Sequence, residues 1–210
     1  MKTYDQKNSY FGIKYDDKAR WASYWQQINE VLRLKPQSVL EIGVGNGLVS
    51  WYLKFLNFQV TTLDINENLN PDFTGSVLDM PFPDDSFDLV LCAEVLEHLP
   101  FEQFSKALSG LRRISNNYIV LSLPHWGWTF RCLFKIPVFP AFQILWKLSG
   151  VLGHKSGEHR WEIGKRGYSL RKIKKAIMAQ NFKILNHFII FENPYHHFFI
   201  LQKMKNNKLL

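Results

Sequence analysis

The chain has 210 residues, 46% hydrophobic and 21% charged, which supports a sizeable core and excludes wholesale disorder. Its net charge of +8 is unevenly placed: residues 1–100 carry a net −6 and residues 101–210 a net +14. Two cysteines, Cys92 and Cys132, exclude a cystine-stapled scaffold and a thiolate zinc site, and fit a cytoplasmic thiol environment.

The first 25 residues are polar and aromatic and lack the apolar run of a secretory signal. Trp21, Trp25, Ile28, Val31 and Leu32 recur at spacings of three and four, predicting a helix from Lys18 to Leu34 that Pro36 stops. Ser38–Ile42 reads as a short buried strand ending at glycines. Past Gly43–Gly47 the period turns helical, with Leu48, Trp51, Tyr52 and Phe55 on one side. Gln59–Leu63 is the next strand and ends on Asp64. Asn66–Phe73 is rich in Asn and contains Pro71, so no long helix fits there. Ser76–Leu78 reads as a short strand before Asp79, followed by a turn through Pro81, Pro83, Asp84 and Asp85.

Phe87–Cys92 is a strongly apolar strand, Glu102–Ile114 a helix, and Tyr118–Leu123 a strand behind Asn116 and Asn117. Strands alternating with helices, hydrophobic throughout, predict an α/β fold with a parallel sheet covered on both faces. Residues 125–160, rich in Trp, Phe and Pro, read as an inserted cap with helix from Phe139 to Leu152. Ser169 caps a helix running to Gln180. Phe182–Glu192 and His197–Gln202 are closing strands, and a tight turn at Asn193 and Pro194 implies antiparallel pairing. There is no internal repeat, and the basic tail from Lys203 to Lys208 is expected to fray. The chain reads as one domain over 1–210, with 1–34 an N-terminal lid and helix and 125–160 a cap over substrate.

Glu41-Ile42-Gly43-Val44-Gly45-Asn46-Gly47 lies where a buried strand hands over to a helix. Three glycines at alternate positions let the backbone turn sharply and approach a ligand where a Cβ would collide. A dinucleotide fold wants Gly-x-Gly-x-x-Gly, but that third position is Leu48 and glycine arrives one residue early, at Gly47. Asp64, 21 residues after Gly43, can accept both hydroxyls of a ribose, which supports a nucleoside without choosing among nucleosides. No phosphate-cradling Gly-x-x-x-x-Gly-Lys-Ser/Thr is present.

Val39–Gly47, Asp64, Leu78-Asp79-Met80-Pro81-Phe82, Ser86-Phe87-Asp88, Leu91 and Glu97-His98 together resemble the class I S-adenosylmethionine-dependent methyltransferases. The resemblance is nearest the broad small-molecule branch and covers residues 36–123, continuing weakly through Trp161 to Phe182. It implies a Rossmann-like seven-stranded, mostly parallel sheet with helices on both faces and an antiparallel last strand. It also implies that Gly43, Gly45 and Gly47 approach the methionyl part of S-adenosylmethionine and that Glu41 organises its amino end. By the same resemblance Asp64 takes the ribose hydroxyls, Asp79 faces the adenine amino group, and Met80 backbone closes over the ring. Cys92, Ala93 and Glu94 would line the cofactor side of the substrate pocket, and the N-terminal tyrosines would fold over the cofactor. The 14 residues between Asp64 and Asp79 are too few for the usual helix, so a shortened helix or loop is expected there.

A sulfonium methyl is already activated, so the protein need mainly hold a nucleophile in line and exclude water; no metal is expected, and no metal-ligand spacing is apparent. A hydroxyl or protonated amine acceptor would want a base, for which Glu94, His98 and His125 stand in position. Each has a plainer reading: Glu94 as an acceptor for backbone N–H groups, His98 in a helix-end network, His125 in a solvated loop. His154, His159 and Arg160 could rim the pocket or be ordinary surface residues, and Cys92 is most simply a small core residue. His196 and His197, adjacent on a strand, should face opposite sides.

Trp126, Trp128, Phe130, Phe134, Phe139, Phe142 and Trp146, with Arg131, Lys135 and Lys147, suit a packed cap, a hydrophobic acceptor or a bilayer surface. Lys135, Pro137, Pro140, Gln143 and Lys147 interrupt this stretch, so it is not expected to span a bilayer. Dispersed basic residues disfavour nucleic acid. The expected partner is therefore a small-molecule or lipid-like substrate, and the expected location cytoplasmic with membrane-peripheral contact through 126–152. Oligomeric state is not legible. The rival classes are a non-catalytic S-adenosylmethionine-binding protein acting through a protein partner, and a nicotinamide-dependent oxidoreductase.

Overall fold

A computed structural model describes residues 10, 12, 15–149 and 159–204. Helix α1 (Lys18–Leu34) begins at Asp17, whose carboxylate accepts the Arg20 N–H at 2.8 Å, and ends at Lys35 in the left-handed conformation. Strand β1 (Ser38–Ile42) leads through the glycines into α2 (Leu48–Phe55), then β2 (Gln59–Asp64). A single 3-10 turn, Glu67–Leu69, stands where a helix would usually follow, as the asparagines and Pro71 require. β3 is only Phe73–Thr74, three residues ahead of the strand expected over Ser76–Leu78; Ser76 and Asp79 instead close a turn through an isolated bridge.

β4 (Phe87–Ala93) runs to 3-10 turns at Leu96–His98 and Phe101–Gln103, then α3 (Phe104–Ile114) and β5 (Ser115–Pro124). β5 starts earlier than expected and takes in Asn116 and Asn117, across a register irregularity opposite Phe87–Leu89. β6 (Trp128–Phe134) and β7 (Phe142–Leu148) form a separate antiparallel hairpin. Where a helix is expected over Phe139–Leu152, the structure has strand β7 over Phe142–Leu148 with irregular backbone at 139–141 and 149; residues 150–152 lie outside the described residues. α4 (Leu170–Ala179) is capped by Ser169, which accepts the Lys172 N–H at 3.2 Å. β8 (Phe182–Ile189) and β9 (His196–Lys203) close the sheet, joined by six residues, a longer connection than the expected tight turn.

The main sheet has the order β3-β2-β1-β4-β5-β9-β8, parallel except that β9 is antiparallel to both neighbours. Val31, Val49 and Leu53 of α1 and α2 pack on one face, while Leu108, Leu111, Ile173 and Ile177 of α3 and α4 pack on the other. This is the expected Rossmann-like α/β architecture with an aromatic insertion. Among the described residues, no helix is long and apolar enough to cross a membrane.

The apolar spacing only partly marks the buried faces of α1 and α2: Val31 and Ile28 pack on the core, but the tryptophans do not. Trp21, Trp25, Trp51 and Phe55 are exposed, whereas Ser23, Gln27 and Glu30 are buried. The stem of the insertion is fixed by Trp161, fully buried, whose indole N–H donates to the Leu99 carbonyl at 3.1 Å. Ile163 donates to the Pro124 carbonyl and accepts from the Trp126 N–H, drawing both flanks of the insertion to the end of β5.

Candidate active site

At the carboxyl ends of β1, β2 and β4 lies a crevice of about 370 Å³, the place where open α/β sheets collect ligands. Gly43 (φ 84°) and Gly45 (φ 56°) form its floor. A Cβ on Gly43 would run into Val95 Cγ2, while space above Gly45 is open, so bare backbone faces the crevice. Gly47 (φ 76°) is not on the wall; it caps α2.

Asp64 stands at the tip of β2, its two carboxylate oxygens accepting the Val44 and Asn66 N–H groups, each at 2.8 Å. Those bonds aim the carboxylate across the glycine loop and leave lone pairs on both oxygens. Glu41 is buried on β1, and among the described residues its Oε2 has no hydrogen-bond partner. Burial pushes its carboxyl up to about 8, against the Ser50 hydrogen bond that lowers it.

The opening side is built by the N-terminal segment. Tyr10, Tyr15, Arg20, Ser23, Tyr24 and Gln27 all reach the crevice. Arg20 donates to the Tyr15 carbonyl at 3.0 Å and lies over the Tyr15 ring, 3.9 Å from its centre. The Asn46 side-chain amide donates to Asp16 at 3.0 Å, tying the segment to the glycine loop. Of the N-terminal aromatic residues, Tyr10 and Tyr15 line the crevice, while Tyr4 and Phe11 lie outside the described residues. The polar pair Ser23 and Gln27, one helical turn apart, is the sequence signal for this wall.

Toward the adenine side the structure departs from the expectation. Gly75, Ser76 and Val77 line the crevice, whereas Asp79 is exposed outside that lining and Met80 is core. The Met80 carbonyl accepts from the Arg113 side chain at 2.9 Å. The short β3 brings Ser76 to the sheet edge first, and the turn closed by the Ser76–Asp79 bridge carries Asp79 outward.

At the far end, Glu94 follows β4 with φ 54°, a strained conformation for a residue with a Cβ. Its carboxylate accepts the Ser122 hydroxyl at 2.7 Å and faces His196 Nε2 at 3.6 Å. His98 and His196 also line this end, so Glu94 and His98 are both where the sequence placed a base. His125 is not: it is buried, bonded to His197 Nδ1 at 2.9 Å and Ser149 at 3.4 Å, and does not line the crevice. The β9 alternation separates His196, facing Glu94, from His197, facing His125.

No metal ligands were legible as a spacing, yet the fold gathers a set. Glu97, His98 and His159 each offer an atom within 4.8 Å of the others. Sixty residues lie between His98 and His159, and the folded stem at Arg160 and Trp161 brings them together.

A methyltransferase-domain family model matches residues 40–117, and one for the tellurite resistance protein TehB matches residues 3–76. An uncharacterized protein of Methanocaldococcus jannaschii is 40% identical over 86 residues, 38% of this chain and 36% of that protein. The match thus spans about a third of the curated relative. Among solved structures, magnesium protoporphyrin IX methyltransferase of Synechocystis with bound SAH has a TM-score of 0.65 at 16% identity, covering 95% of this chain and 94% of that one. Burkholderia thailandensis 1,6-didemethyltoxoflavin-N1-methyltransferase, with 1,6-didemethyltoxoflavin and S-adenosylhomocysteine bound, has a TM-score of 0.60 at 12% identity, covering 92% and 81%.

Proposed function

From the class I S-adenosylmethionine-dependent methyltransferase fold of this chain we infer that it is an enzyme transferring methyl from S-adenosylmethionine to a small or hydrophobic acceptor with an oxygen or nitrogen nucleophile. The observation that carries this reading is the bare backbone at Gly43 and Gly45 set beside the Asp64 carboxylate in one crevice. The orphaned Glu41 Oε2 adds an acceptor beside the glycine floor, where an amino group belongs. When bound, the cofactor supplies an activated sulfonium methyl.

The residues divide the remaining work. Asp64 accepts ribose hydroxyls, Gly43 and Gly45 admit the methionyl chain, and Ser76 and Val77 border the base. Tyr10, Tyr15 and Arg20 cover the crevice and exclude water. Glu94 holds a proton acceptor at the acceptor end, positioned by Ser122.

Isothermal titration of the full chain with SAH, paired with transfer of labelled methyl to fractionated small-molecule and lipid extracts, tests the reading. Micromolar SAH affinity and a labelled product are expected. SAH binding without any labelled fraction would favour a non-catalytic binding protein, and preference for a nicotinamide cofactor would overturn the reading.

The insertion points to a greasy acceptor or surface. Trp128, Phe130, Cys132 and Phe134 pair with Leu148, Trp146, Ile144 and Phe142, so one face of the hairpin is wholly apolar. All but Cys132 are more than half exposed, Trp128 at 75%. The other face is held to the body, where Lys147 donates to the His125 and Pro194 carbonyls and Arg131 to those of Phe191 and Glu192. Co-sedimentation with anionic phosphatidylglycerol-containing vesicles should retain the wild type and lose Trp128→Ser/Phe130→Ser at least about tenfold. A wild type left in the supernatant would remove membrane contact from the proposal.

A further inference from the structure

The geometry points to a divalent-cation site formed by Glu97, His98 and His159 at the acceptor end of the crevice. Glu97 is fully buried at the 3-10 turn after β4, and among the described residues neither of its carboxylate oxygens has a hydrogen-bond partner. A buried carboxylate with no donor is among the costlier arrangements in a protein and calls for a countercharge. Its Oε1 lies 3.9 Å from His159 Nε2 and 4.0 Å from His98 Nε2. Both separations are too long for hydrogen bonds. They match three ligands of one ion, because donors each roughly 2.0–2.2 Å from a metal lie about 3–4 Å from one another.

The surroundings are those of a built site. His159 turns its other nitrogen to the Tyr195 hydroxyl at 3.2 Å and the Glu162 carboxylate at 3.6 Å. A second-layer carboxylate or hydroxyl of this kind fixes the imidazole so that the inward nitrogen keeps its lone pair for a metal. Glu162 is itself anchored by Lys165 at 2.6 Å. The two ligand-bearing segments are laced together by backbone. Arg160 N–H donates to the Glu97 carbonyl at 2.9 Å, and its side chain donates to the His98 carbonyl at 3.1 Å. Glu94 and Glu162 add negative charge around the cluster, and both act on Glu97.

Two imidazoles and one carboxylate suit a first-row ion such as Mn2+, Co2+ or Zn2+ better than Mg2+ or Ca2+. His98 belongs both to the ligand set and to the crevice wall, so the ion borders the crevice. Its open positions would be left for water or a donor atom of the acceptor. This last role rests on the methyltransferase reading; the ion site does not.

Titration of chelator-stripped full-length protein with Co2+, followed by its visible d–d absorption, tests the site. One equivalent of Co2+ should bind to the wild type, and Glu97→Gln and His159→Gln should each weaken uptake at least tenfold. SAH affinity of both variants should stay within about threefold of wild type, which also reports that they fold. Absence of one-equivalent uptake by the wild type, or equal uptake by both variants, overturns the site. Co2+ uptake with no SAH binding overturns the acceptor role and leaves the ion site standing.

Discussion

Replacing Asp64 with alanine is expected to raise the dissociation constant for SAH about 100-fold. A carboxylate accepting two hydroxyls makes two charge-assisted hydrogen bonds, each contributing roughly 1.5 kcal/mol, and 1.4 kcal/mol is a factor of ten. The carboxylate also organises the loop that receives the ligand, because it accepts the Val44 and Asn66 N–H groups. Alanine therefore loosens the glycine floor as well as removing the ribose contact. Asp64→Asn separates the two contributions. The amide keeps one acceptor oxygen, but its NH2 must face a backbone N–H, so an intermediate loss is expected. Titration calorimetry gives the affinities, and thermal melts show whether each variant remains folded. Unchanged SAH affinity in a folded Asp64→Ala protein would remove Asp64 from the nucleoside site and weaken the functional reading with it.

The parts of this site that were legible in the sequence are those whose partners lie close along the chain. Asp17 and Pro36 bound α1, Gly43–Gly47 announces a strand-to-helix turn, and the strand ending at Asp64 needs no tertiary knowledge to place its carboxylate. The face of α1 was another matter. Tryptophan spacing suggested the buried side, yet Ser23, Gln27 and Glu30 turn inward. Their polar atoms find partners there, as when the Asn193 amide donates to the Ser23 hydroxyl at 2.9 Å. The hairpin deceived for a related reason. Phe139, Phe142 and Trp146 sit three and four apart, as on a helix, while the pairing that forms runs at period two across two strands. Asp79 and Ser76 differ by three positions, and only the length of β3 decides which of them reaches the crevice. Glu97 and His159 belong to one cluster because Trp161 docks on Leu99, a long-range event that no local spacing encodes.

The same long-range logic assembles a row of histidines on the opposite side of β9, and it should give the fold a readable acid sensitivity. Lys174 Nζ meets His187 Nε2 at 3.1 Å, His187 Nδ1 meets His197 Nε2 at 3.0 Å, and His197 Nδ1 meets His125 Nδ1 at 2.9 Å. His125 Nε2 then reaches the Ser149 hydroxyl at 3.4 Å. With lysine donating at one end, every histidine can accept on one nitrogen and donate on the other only if all three are neutral. An added proton would set two N–H groups against each other. Burial, together with the Lys147 and Lys174 charges and the neighbouring rings, accordingly lowers His197 to about 2, and burial with Lys147 lowers His125 to about 4. The unfolded chain protonates these histidines near their ordinary 6.5, so stability present above that pH is lost as the pH falls toward the folded values. For His197 alone the loss between pH 7.5 and 5.0 is about 2 kcal/mol, or roughly 4–8 °C in Tm for a chain of this size. Glu41 and Glu97, whose carboxyls burial raises, titrate in the opposite sense and would mask the effect in the wild type. They are common to both proteins in a comparison with His197→Phe, so they cancel in the difference. The variant should melt well below wild type at pH 7.5, having orphaned its two ring partners. At pH 5.0 that gap should narrow by roughly 4–8 °C, because the variant has no histidine at 197 to protonate on unfolding. Calorimetric scans at the two pH values give the gap directly, and a gap that stays constant would mean that His197 is not held neutral by the row.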